Sequence, residues 1–165
     1  IKSDIKKATS RFSVNVDLNG SLEDFISLSN KTFARQNLKP PYSDELLEKL
    51  DKVCEEKECR KILIAKDSDG APHAGAFLVW DRESAYYLIG GGDPSLRKSG
   101  ATSLCLWEAI KFSASVTKSF DFEGSMIQPI EKFFRAFGGT PTPYFYVTKT
   151  SSKMLKLKKF LLDIR

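Results

Sequence analysis

The sequence has a single histidine, His73, and only three cysteines, Cys54, Cys59 and Cys105, at spacings that match no metal site. A zinc centre is excluded on that count, and no metal is expected. An odd number of cysteines argues against a disulfide framework, so reduced thiols are expected. No apolar run approaches the length of a membrane span, and no signal peptide opens the chain. A cytoplasmic location is the expectation. The familiar phosphate loops are missing too. There is no Gly-x-x-x-x-Gly-Lys-Ser/Thr, and Gly-x-Gly-x-x-Gly fails because Ser95 stands where the last glycine belongs. Internal repeats and low-complexity tracts are absent, and the chain opens on Ile1 rather than methionine, which suggests a piece of a longer polypeptide.

What is present suffices for a core. The chain has 165 residues, 41% hydrophobic and 12% aromatic, enough for one domain that needs no staples. The net charge of +5 sits at the ends: residues 149–165 hold six Lys/Arg against one Asp, and residues 1–11 hold four against one. The body, 12–148, carries 16 basic against 19 acidic residues, which speaks against a nucleic-acid face there. Three parts are expected: a basic entry segment at 1–11, a body at 12–148 and a basic tail or helix at 149–165, opened by Ser151.

Along the body, Phe12 to Val16 alternates as a strand. Ser21 and Asp24 form a weak capping box before a helix with Leu22, Phe25, Ile26, Ser29 and Phe33 on one face, ending near Gln36. Ser43 caps a second helix with a stripe of Leu46, Leu47, Leu50, Val53 and Cys54. Arg60 to Lys66, His73 to Trp80 and Ser84 to Gly90 follow as three strands with short links, an antiparallel meander. The helix from Ala101 to about Thr117 is apolar round most of its circumference, so it should lie between two layers. Phe120 to Gly124 reads as a strand joined to the meander by a parallel crossover. Ser125 with Gln128 and Pro129 then open a helix that buries Ile130, Phe133, Phe134 and Phe137, with Glu131 and Arg135 paired on its surface. Pro143 to Thr148 reads as a last strand with Tyr144 and Tyr146 on one face. His73, beside a hairpin turn, is expected at the surface, and Cys105 in the core.

The stretch from Ala85 to Thr102 concentrates the chemistry. An apolar strand runs into Gly90, Gly91 and Gly92, then a loop with Arg97 and Lys98, then a helix start at Ala101. Glycines let a ligand approach the backbone, a helix N-terminus favours an anion, and arginine adds a fork of donors. A phosphate seat and a plain connecting turn both fit this pattern.

Arg97-Lys98-Ser99-Gly100-Ala101-Thr102 resembles the acyl-coenzyme A loop of the GNAT acyltransferases, Gln/Arg-x-x-Gly-x-Gly/Ala, with Thr102 in place of the last small residue. The element order is similar to that superfamily. Phe120 to Ser125, followed by Ile130, Phe133-Phe134 and Phe137-Gly138-Gly139, resembles its FemAB-type branch. So do Tyr86-Tyr87-Leu88 before the glycines, and Ser99-Gly100-Ala101 with Leu106 to Ile110. Ile5 to Ala8 is similar to the basic segment that enters the second lobe of such proteins.

The resemblance implies an α/β (α+β) GNAT-like fold, with a mixed, mostly antiparallel sheet flanked by helices. It implies an acyl- or aminoacyl-transferase lobe acting on an amine, such as that of a peptidoglycan precursor, with a second GNAT-like lobe as partner. Acyl-CoA or aminoacyl-tRNA would be the donor, and nothing would be bound permanently. The alternative is a non-catalytic lobe that binds acceptor or stabilises its partner. Gly91, Gly92, Arg97, Gly100, Ala101 and Thr102 would hold the donor. Asp121, Tyr144 and Tyr146 would meet the acceptor. Glu123 and Tyr86 are the catalytic candidates, although Glu123 as a cap or arginine partner and Tyr86 as a packing residue remain equally open readings.

Overall fold

The computed structural model describes residues 1–145, 147, 149–156 and 158. Five strands form one sheet in chain order: β1 (Asn15–Asp17), β2 (Arg60–Lys66), β3 (Pro72–Trp80), β4 (Ser84–Gly92) and β5 (Ser119–Asp121). The first four pair antiparallel and β5 joins β4 in parallel. This is the mixed, mostly antiparallel sheet that the sequence led us to expect.

Strand alternation sorts the core into two halves. Ile62, Ile64 and Phe77 face Phe25 and Leu28 of α2 (Leu22–Arg35). Leu63, Ala65, Ala74, Ala76 and Leu78 face the other way, onto Leu104, Cys105, Leu106 and Ala109 of α4 (Ala101–Val116) and onto Ala8 of α1 (Lys2–Arg11). The basic entry segment is therefore a helix that contributes a fully buried side chain. α4 lies between the sheet and α1, as its apolar circumference demands, while Trp107 and Val116 keep contact with solvent.

Ser21 caps α2 and Ser43 caps α3 (Asp44–Glu56), each accepting from the backbone N–H three residues on. In α3, however, Leu46 and Val53 are exposed, and the buried positions are Leu47 and Asp51. The helix is turned toward Arg60 of β2, whose Nε lies 2.9 Å from Asp51 Oδ1 and whose Nη2 donates to Glu55 Oε1 at 2.7 Å. Periodicity alone ranked leucine and valine above an aspartate that carries its own counter-ion.

Several boundaries differ from expectation. β1 starts at Asn15, because Val14 N–H donates to Ala8 of α1 and Ser13 takes a positive φ. β5 stops at Asp121, so strand alternation does not extend to Glu123. α5 (Gln128–Arg135) has no side-chain cap: Ser125 Oγ accepts from Ile127 N–H at 3.1 Å, a local turn in place of the capping box. Phe133, Phe134 and Phe137 pack on the core, but Ile130 is exposed. Glu131 and Arg135 do pair. Among the described residues of 143–148 there is no strand, and Tyr146 and Thr148 lie outside them. In the tail, residues 153–156 are helical and open at Ser152, whose carbonyl accepts from Lys156 N–H at 3.1 Å. Residues 157 and 159–165 of the expected tail helix lie outside the described residues.

Candidate active site at the open edge of the fourth strand

β4 pairs with β5 over three residues only, ending at Tyr86 and Asp121. On its other side it stays paired with β3 as far as Gly92. From Tyr87 to Gly92 the β5-facing edge has no strand partner among the described residues. β4 also carries a bulge: Leu78 opposes Tyr87 and Phe77 opposes Ile89, so Leu88 has no partner in β3. The extra residue reverses the alternation. Tyr87 faces the α4 layer, and Ile89 faces the α2 layer.

The three glycines belong to this strand. None has a positive φ, and the strand runs on to Gly92, past its expected end at Gly90. Their reason is proximity. A Cβ on Gly91 would stand 2.7 Å from Ser29 N, against the backbone of α2. A Cβ on Gly90 would occupy the space of the Tyr87 hydroxyl. Gly92 faces Thr102, with its own N–H donating to Thr32 Oγ1 at 2.9 Å and its carbonyl accepting from the same hydroxyl at 3.1 Å.

Beyond the strand, Asp93 starts a 3-10 turn (Pro94–Ser99) and fixes it. Its carboxylate accepts from Ser95 N–H at 2.9 Å and from Lys31 Nζ at 2.7 Å, which together hold its pKa down to about 2. Gly100 then takes φ +83. It must be glycine twice over, because a Cβ there would lie 2.4 Å from the Asp4 carbonyl of α1. α4 begins at Ala101 with no side-chain cap; Ala101 N–H is met by Ser99 Oγ at 3.2 Å. Arg97, Lys98 and Thr102 are exposed around this helix start. A helix N-terminus with exposed basic residues and a hydroxyl close in sequence has the chemistry that anions favour.

The structure distributes the remaining candidates as follows. Tyr86 donates to Asp81 Oδ2 at 2.9 Å and so serves the β3–β4 hairpin. Asp121 Oδ1 accepts from Glu123 N–H at 2.7 Å. Glu123 is exposed just past the strand end with φ +60, where a side chain bearing a Cβ is strained. Tyr144 is 83% exposed and Tyr146 lies outside the described residues. Tyr87, next to the candidate Tyr86, is the tyrosine in the stretch of β4 beyond its pairing with β5. Its ring meets Phe134 edge-on at 6.0 Å, and burial pushes its phenol up, which keeps the proton on the oxygen. Neither the bulge nor the Tyr87–Gly90 contact has a signal in the sequence.

His73 is 4% exposed, contrary to expectation. Its Nε2 lies 3.0 Å from Asp67 Oδ2, so the hairpin aspartate draws the ring inward, and this contact leads the causes that lower the Asp67 pKa. The Cys105 thiol donates to the Leu63 carbonyl at 3.7 Å and is pushed up to about 12 by burial, an inert core group. No group of three or more potential metal ligands exists among the described residues. A groove of about 430 Å³ between α2 and α3 is lined by Leu22, Glu23, Ile26, Asp44 and Glu48, none of them a candidate site residue.

The family model of the acetyltransferase (GNAT) domain matches residues 1–125. The chain belongs to this family.

Its fold is shared widely among solved GNAT structures. FemX superposes with a TM-score of 0.72 at 13% identity, over 83% of this chain and 52% of FemX. An acetyltransferase of Trypanosoma brucei gives 0.59 at 13% identity, over 83% and 99%. The aminoglycoside 6'-N-acetyltransferase AAC(6')-Ih of Acinetobacter baumannii gives 0.59 at 17%, over 84% and 99%. At these identities the likeness carries the fold. This GNAT domain spans about half of FemX. None of the curated proteins compared with it matches. Among the described residues, no helix is long and apolar enough to cross a membrane.

Proposed function

We propose that this GNAT domain is one lobe of a FemAB-type acyl- or aminoacyl-transferase that acts in the cytoplasm on an amine such as that of a peptidoglycan precursor. The observation that carries the reading is the open β4 edge running from Tyr87 to Gly92 into the Arg97–Thr102 seat. The donor's phosphates would sit on the α4 N-terminus with Arg97, Gly100, Ala101 and Thr102. Its extended arm would lie along β4, with Gly91 and Gly92 shaping the path. Five residues of strand span about 17 Å, so the reactive carbonyl would lie near Tyr87. Acyl-CoA carries its phosphates at the end of such an arm, whereas aminoacyl-tRNA would present its acyl ester on the terminal ribose without one.

In transfer, the amine nitrogen attacks the acyl carbon and its bond to the donor's sulfur or oxygen breaks. Glu123, beside the parting of β4 and β5, would take the amine proton, with Asp121 holding its backbone. Tyr87, protonated at neutral pH, would return a proton to the leaving atom. Tyr86, Tyr144 and Tyr146 would meet the acceptor. A second GNAT-like lobe, consistent with the half-length match to FemX, would close the cleft.

A second reading is a lobe that binds acceptor or supports its partner without catalysis. One observation favours it: the Tyr86 hydroxyl is already committed to Asp81. Calorimetry with coenzyme A separates the donor-binding part. Arg97→Ala should weaken binding about ten- to a hundred-fold, the loss of one charge-assisted contact; equal affinity would return the loop to a structural turn. In the longer parent chain, Glu123→Gln should cut transfer by about 10²–10⁴ with folding intact. An unaffected variant would leave Glu123 a turn residue.

A further inference from the structure

The junction of α3 and β2 holds a feature that acyl transfer does not use. α3 is capped by Lys57, and Glu58 follows with φ +51. Glu58 N–H donates to the Glu55 carbonyl at 2.9 Å, and Cys59 N–H donates to the Cys54 carbonyl at 2.9 Å. This pair of bonds closes a helix through one left-handed residue and folds the side chain after it onto the side chain five positions earlier. An apolar pair ordinarily fills those two places. Here both are cysteines, half-buried and free. Burial raises the Cys54 pKa, and the neighbouring Cys59 thiol raises it further. The third cysteine, Cys105, is buried elsewhere against Leu63.

We propose that Cys54 and Cys59 are a reversible dithiol–disulfide couple, closed by exchange with a small-molecule disulfide. One of the two thiols loses its proton to solvent, and the thiolate attacks a sulfur of the small disulfide. A mixed disulfide forms and one small thiolate leaves. The second cysteine, deprotonated in turn, attacks the protein sulfur of that mixed disulfide. The intramolecular S–S bond forms and the second small thiolate departs. Two protein thiols are oxidised, and one small disulfide is reduced to two thiols. The Cys59–Cys54 backbone bond already closes the turn that the disulfide would bridge. The new bond would double the clasp that Arg60 makes to Asp51 and Glu55, fastening the C-terminal end of α3 to β2.

The test exposes the reduced 165-residue chain to glutathione disulfide, blocks remaining thiols in acid and maps the peptides by mass. The expected product links Cys54 to Cys59 without attached glutathione, leaves Cys105 alkylated and reverts with dithiothreitol. Cys54→Ser and Cys59→Ser should each stop at a glutathione adduct on the remaining partner. The oxidised wild type should unfold at a higher temperature than the reduced form, a rise that Cys105→Ser retains. A wild type that stops at glutathione adducts, keeps three alkylatable thiols or links Cys54 and Cys59 only between chains would overturn the proposal.

Discussion

Gly91 and Gly100 are constrained by backbone atoms of other elements, which have little room to retreat. At Gly91 the neighbour is the α2 backbone at Ser29; at Gly100 it is the α1 backbone at Asp4, with a left-handed φ in addition. Gly91→Ala should cost about 1–3 kcal/mol through overpacking. Gly100→Ala should cost more, since the left-handed conformation adds about 1–2 kcal/mol. Urea unfolding measures both, and wild-type stability in Gly100→Ala would show that α1 does not rest on α4 as described. The same residues show how far single positions were legible. The sequence marked Gly90 to Gly100 as special, yet it ended the strand at Gly90 because nothing local reports that α2 will approach from another part of the chain. His73 failed likewise: only the fold brings Asp67 to its Nε2 and takes the ring out of water.

At the scale of elements, legibility followed the strength of local signals. α2, α3 and the β2–β4 meander have caps, breakers and turn residues that agree with their periodicity, and their limits fell within a few residues of expectation. β5 and the start of α5 were misjudged where a partner decides the outcome: pairing with β4 ends at Asp121, and Ser125 spends its hydroxyl on Ile127. The corner between β4 and α4 is held by polar groups from α2, Lys31 on Asp93 and Thr32 on Gly92. Its acid response follows from Asp93. A carboxylate whose folded pKa is depressed from 3.8 to about 2 contributes stability that is complete above the ordinary value and is lost as pH falls toward 2. Asp93→Asn should therefore lower the unfolding temperature at neutral pH and lose less than wild type through that acid window. Parallel acid profiles would mean that Lys31 and Ser95 do not hold the carboxylate.

The whole molecule is a GNAT domain whose sheet opens on one side and whose helices α1 and α2 brace the corner where the opening ends. The aromatic group of Phe122, Phe133, Phe134 and Phe137 closes the α4 face beneath Tyr87, so the free edge of β4 has an apolar floor and a cationic end. On the proposed function a donor would lie along this edge with its phosphates at the α4 start. Amide NMR during titration with coenzyme A tests this placement. Saturable shifts are expected in the amides of Leu88 and Ile89 on β4 and of Thr102 and Ser103 at the α4 start, reduced in Arg97→Ala. Shifts confined to the groove of Leu22, Glu23, Ile26, Asp44 and Glu48, with β4 and α4 unmoved, would contradict it.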